Sequence, residues 1–127
     1  MNKKVRFSAL LVFAFLAIGF MQSCKNKNPS VIKIFVRSNS NELVEGAKVV
    51  IIGDPASNPP TMEYVDTVIT NGSGFAYFNM EDYYSAAGKD NDVAYFDIIA
   101  KTATKQGSGR IRSRVHTTAV ETIFLPN

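Results

Sequence analysis

Residues 31–37 read VIKIFVR, with Ile32, Ile34 and Val36 at alternate positions and Lys33 and Arg37 on the opposite parity. An apolar period of two with charges on the second face marks a half-buried β-strand. The segments that follow repeat this pattern between turn signals. Asn39-Ser40-Asn41 reads as a loop, and Ala47–Ile52 as a central strand, because its apolar run is nearly continuous. Gly53-Asp54-Pro55 stops that strand, and Pro55, Pro59 and Pro60 keep the next stretch out of a sheet interior. Tyr64–Thr70 alternates again, with Val65, Thr67 and Ile69 opposite Asp66 and Thr70. Asn71-Gly72-Ser73-Gly74 is a hairpin signal, since Asn and Gly tolerate positive φ.

Phe75–Met80 returns as a strand with Phe78 and Met80 facing one way. Glu81–Asp92 is less regular and has room for a helical turn. Val93–Thr102 places Ala94, Phe96, Ile98 and Ala100 on one side, Lys105–Gly109 reads as a second Gly-bearing turn, and Arg110–His116 and Ala119–Leu125 complete the set. Seven strands in roughly 95 residues, with no sustained 3.6-residue pattern, predict an all-β, antiparallel, Ig-like sandwich with Greek-key connections; a closed barrel is the second choice.

The chain has 127 residues, 46% of them apolar, with one Cys and one His. That length suits one folded domain. A single Cys excludes an internal disulfide framework and any CxxC site, and a single His excludes a His-rich metal site. The formal charge of +3 owes everything to Lys3, Lys4 and Arg6. Without those three, the 14 Lys and Arg fall to 11, equal to the 11 Asp and Glu, so net charge gives no argument for nucleic acid.

These three cations form a basic n-region ahead of Phe7–Met21, which carries no charge. The run is too short for the roughly 20 apolar residues of a spanning helix and suits a signal-peptide h-region. Met21-Gln22-Ser23-Cys24 follows. It resembles a bacterial lipoprotein lipobox, with Met and Gln where other residues are usual. The resemblance implies cleavage after residue 23, lipid on Cys24, and a permanent anchor, because two or three acyl chains hold where one does not. Residues 1–23 are then the signal peptide, 24–30 the lipidated Cys and a short linker, and 31–127 the sandwich domain. Residues 25–30 (KNKNPS) reach about 20 Å at most. The general style resembles lipoproteins of Bacteroidota, in which surface export goes with acidic residues after the Cys. None stands in 25–30, which implies an outer-membrane anchor facing the periplasm.

Within the domain, Glu45-Gly46-Ala47-Lys48-Val49-Val50-Ile51, then Thr67–Phe78 (TVITNGSGFAYF) and the closing Val120–Leu125, resemble the carboxypeptidase regulatory-like, transthyretin-like domain group. Where that group carries Pro-Gly-x-Tyr, this chain has Met80-Glu81-Asp82-Tyr83-Tyr84. The resemblance implies a non-enzymatic module attached to larger machinery.

Candidate chemistry is sparse. Arg110, Arg112, Arg114 and His116 alternate with Ile111, Ser113 and Val115, which predicts a basic stripe on one strand face. Such a stripe suits phosphates, lipid headgroups or an acidic partner, or serves as a solvated face that discourages edge aggregation. Tyr83, Tyr84 and Tyr95 offer rings for stacking a glycan or packing a partner, or for the core and its rim. Glu81, Asp82, Asp90 and Asp92 gather acid in one loop without an EF-hand pattern, so no metal is expected. GxSxG, HExxH, P-loop and GxGxxG motifs are absent, and no catalytic residue is assigned.

The expectation is therefore a non-enzymatic, lipid-anchored accessory module of an outer-membrane complex for transport, secretion or barrel assembly. It would have no cofactor beyond the covalent lipid, its partners would be outer-membrane or periplasmic proteins, and loops 53–63 and 81–92 would be contact surfaces. The alternative is a module binding a glycan or another small ligand.

Overall fold

The computed structural model describes residues 28–127. Strands β1 (Val31–Arg37), β2 (Lys48–Gly53), β3 (Val65–Ile69) and β4 (Phe75–Asn79) precede a short helix, α1 (Glu81–Ala87). Strands β5 (Val93–Lys101), β6 (Gln106–Arg114) and β7 (Thr118–Phe124) follow it. They form a three-stranded sheet, β4-β1-β7, packed on a four-stranded sheet, β3-β2-β5-β6. The protein is an all-β sandwich of seven strands. Hairpins β2–β3 and β5–β6 lie in the larger sheet, and the chain crosses to the smaller one before and after each. All pairs are antiparallel except β1 with β7, which run parallel from Val31↔Thr118 to Arg37↔Phe124.

The inner faces follow the alternation of the sequence. Ile32, Ile34 and Val36 of β1 meet Val49 and Ile51 of β2, Phe78 of β4 and Phe96 and Ile98 of β5 in one fully buried cluster. Phase is a different matter from period. In β3 the expected apolar row, Val65, Thr67 and Ile69, is the exposed one, and Val68 packs on the core. Thr70 decides this. Its buried hydroxyl accepts from the Ala47 amide at 2.9 Å and donates to the Val44 carbonyl at 2.7 Å. A side chain held inward at position 70 turns 69, 67 and 65 outward.

Gly107-Ser108-Gly109, expected as a turn, lies inside β6; the turn is at residues 102–105. The two glycines occupy the inward row that continues to Ile111 and Ser113. A Cβ on Gly107 would stand 2.6 Å from the Phe124 carbonyl oxygen, and one on Gly109 would stand 2.5 Å from Ile123 Cδ1. Their bareness lets β7 close over β6 and shuts that side of the sandwich.

Two further differences concern the chain between strands. The irregular stretch after β4 forms a real helix, with Glu81 and Asp82 in its first turn to complement the backbone dipole and Gly88 at φ 87° ending it. His116 is not part of the strand stripe; it sits in the β6–β7 turn at φ 58°.

Gly107→Ala is expected to lower unfolding stability by about 1–3 kcal/mol, because the obstacle is backbone and cannot rotate away. Ser108→Ala, on the outer face of the same strand, should stay within about 0.5 kcal/mol. Urea midpoints of the two variants check the contrast.

Candidate functional site

Tyr83 and Tyr84 are core residues, only 3% and 7% exposed. Of the two readings the sequence leaves open for them, a stacking surface or the core with its rim, both take the second. The helix presents both rings inward, where Tyr83 meets Tyr64, Tyr84 and Phe96 edge-on at 5.1–5.3 Å between centroids. Their hydroxyls are used internally. Tyr83 accepts from the Met62 amide at 3.2 Å, and Tyr84 donates to Ser113 at 2.9 Å. Burial pushes both phenols up, against a smaller opposing pull from those hydrogen bonds. An aromatic pair three residues after a strand reads the same on paper whether it faces solvent or plugs the end of a core. Tyr95 alone of the three lies on an outer face, half-buried, with the Arg110 guanidinium 5.5 Å from its ring centre.

The arginine stripe exists, on the outer face of the larger sheet, but its members differ. Arg110 binds Asp54 at 2.7 Å and Asp97 at 3.3 Å. It therefore staples the 54–64 loop to the sheet instead of waiting for a partner. The guanidinium hydrogen bond holds the Asp54 carboxyl below its usual range, aided by the Ala56 amide. Thr61 anchors the same loop by accepting from the Tyr95 amide at 2.8 Å. Arg112 and Arg114 are exposed and make no ion pair among the described residues.

Cys24 and most of the linker lie outside the described residues. The packed unit nevertheless reaches back beyond Val31, where the domain was expected to begin. Ser30 is fully buried. Its amide donates to Glu81 at 2.6 Å, its carbonyl accepts from Met80 at 2.9 Å, and its hydroxyl accepts from the His116 amide at 2.7 Å. The His116 Nδ1 lies 2.8 Å from the Asn28 carbonyl, which can only accept, so Nδ1 carries the proton. Beside this contact is an open hollow of about 510 Å³ lined by Glu81, Tyr84, Lys89, Asp92 and His116. Its glutamate, tyrosine and histidine are those already engaged in holding the fold. No group of metal-ligating side chains occurs among the described residues.

The surface that sequence reasoning missed is the outer face of the smaller sheet. Register places Tyr77, Lys33 and Val120 in one row, and Phe75, Phe35 and Thr122 in the next. Phe124 stands beside Arg37 in a third row. Tyr77, Val120 and Phe124 are 50%, 54% and 57% exposed. The Lys33 ammonium sits 4.0 Å from the Phe75 ring centre and 5.3 Å from that of Phe35. The available signal was Phe35, an aromatic between Lys33 and Arg37 on the polar parity of β1. The larger sheet also exposes apolar side chains, Val65 and Ile69, on its edge strand, without aromatic neighbours in that row.

No family model and no curated protein matches the chain. Among solved structures, its fold is similar to that of the Bacillus anthracis TIE protein, with a TM-score of 0.51 and 14% identity over 79% of this chain and 17% of that one. A chlorocatechol 1,2-dioxygenase from Pseudomonas putida gives a TM-score of 0.46 and 11% identity over 83% of this chain and 63% of that one. The chain thus spans a small part of the first protein and less than two thirds of the second. At that identity the first likeness shows a shared fold alone.

The lowered Asp54 pKa makes a signed prediction. The Asp54–Arg110 link contributes above the ordinary carboxylate value of 3.8 and is lost as pH falls through the depressed folded value. Amide signals of residues 54–61 should therefore shift and broaden in acid before those of β5 do. Arg110→Ala should produce the same local loosening at neutral pH. A pH titration of both proteins followed by ¹H–¹⁵N NMR tests this.

Proposed function

We propose that the chain is a lipid-anchored envelope protein of the outer membrane, facing the periplasm, whose sandwich is a non-catalytic interaction module of a larger assembly. The carboxypeptidase regulatory-like, transthyretin-like group is its proposed kin. The observation that carries the reading is the uncovered aromatic face of the β4-β1-β7 sheet. Exposed apolar patches of this kind on a soluble domain are characteristic of protein contact, and aromatic anchors dominate binding energy at such contacts. The basic n-region, short apolar run and Ser23-Cys24 junction support the anchor.

A glycan-binding reading is weaker. Two of its three tyrosines are in the core, and Phe35 and Phe75 tilt at 59° to each other instead of forming a flat shelf for a sugar ring.

Isolation from native envelopes in mild detergent should recover stoichiometric protein partners. The double variant Tyr77→Ser, Phe124→Ser should lose them while keeping its unfolding midpoint, since truncating two aromatic anchors costs about 2 kcal/mol each, or well over tenfold in affinity. Recovery of the unaltered protein as a bare monomer overturns the proposal. Intact mass should show a mature chain beginning at Cys24 with acyl groups attached; a free thiol there overturns the anchor.

A further inference from the structure

We infer that the end of the sandwich bearing residues 54–64 and 81–92 is held against the headgroup layer of the bilayer. The orientation is set by the lock on residues 28–31, and the inference rests on the anchor proposed above. Segments 54–64 and 80–92, the β6–β7 turn and the start of β1 all lie at this one end, here called the base. The loops around residues 39–46, 71–74 and 102–105 lie at the other.

The chain is fixed to the domain from Asn28 onward. The His116 Nδ1 contact holds Asn28, three hydrogen bonds hold Ser30, and the Val31 amide donates to the Thr117 carbonyl at 3.0 Å. Three residues, Lys25, Asn26 and Lys27, lie between Cys24 and Asn28, a span of about 14 Å even when fully extended. The opposite end is further away by the length of a seven-residue strand, about 23 Å. The base therefore cannot leave the headgroup region by more than the tether's reach.

Attraction is not the cause. Beyond the paired Asp54 and Arg110, the base carries Glu63, Glu81, Asp82, Asp90 and Asp92 against Lys89 and Arg114, a balance that anionic lipid does not draw in. Among its described residues two large apolar side chains are exposed, Met62 at 38% and Val65, the first residue of β3, at 65%, which is too few for an inserting cluster. Covalent reach does the work. The two long loops then face lipid, and the aromatic sheet face, running along the side of the sandwich, stays open to protein.

The test uses full-length protein, processed in cells and reconstituted in phosphatidylethanolamine–phosphatidylglycerol vesicles containing a headgroup-spin-labelled lipid. A fluorophore is placed at Lys89→Cys or at Ser73→Cys, Cys24 being blocked by its acyl chains. Quenching at 89 should exceed that at 73 several-fold. Inserting roughly a dozen Gly-Ser residues after Lys27 adds a coil of about 20 Å and should erase the difference. Equal quenching in the original protein overturns the orientation while leaving the anchor intact. A difference that survives the insertion shows that the base adheres by itself, and overturns the tether as its cause. Protein that lacks acyl mass on Cys24 and stays off the vesicles removes the anchor, and this inference with it.

Discussion

Among the described residues, both outer strands of the smaller sheet, β4 and β7, hydrogen-bond to β1 and to no other strand. Seven residues of β1 thus hold together a whole layer of the sandwich, and three of them, Ile32, Ile34 and Val36, also supply the centre of its buried face. A chain that failed to order 31–37 would lose the sheet and the floor of the core together, leaving two strand edges and an apolar surface to water. This explains why the residues just before β1 are so firmly tied. Ser30 joins the first strand to the helix through Glu81, to the end of β4 through Met80, and to the β6–β7 turn through His116. The base of the domain is knotted at one serine.

Period was legible in the sequence, and phase was legible only in part. β1 runs over the residues its alternation indicates, and the inward row of β5 is the expected Ala94, Phe96, Ile98 and Ala100. Both strands carry charge on one parity only. In β3 both parities mix apolar and polar side chains, and the deciding contact is a threonine hydroxyl bonded to residues more than twenty positions away. The glycines of β6 misled for a related reason. Gly-Ser-Gly tolerates a turn, but it also permits close approach, and only the position of Ile123 and Phe124 tells the two apart.

The candidate surfaces divide along the same line. The alternation of Arg110, Arg112 and Arg114 predicts a shared face, which the structure has, but not that Asp54 would reach across from another loop to engage the first of them. Tyr83 and Tyr84 were drawn into the core because α1 folds over the end of the sandwich, a tertiary event with no local signature. The apolar outer face of the smaller sheet went unread because its members come from three strands separated by up to ninety residues. Each alone looks like an ordinary exposed side chain. Together they form the uncovered apolar face of the smaller sheet, while the 54–64 loop is tied back to the larger sheet through Asp54 and Thr61.

The parallel pairing of β1 and β7 has a mechanical meaning. The chain enters at one pole of the molecule and leaves at the other, where the Leu125 amide bonds the Arg37 carbonyl. A pull between the two ends would slide these strands past one another along their length. All the bonds of that ladder would share the strain at once, unlike a hairpin peeled open rung by rung. Resistance to such a pull would come from the strand pair that also organises the fold.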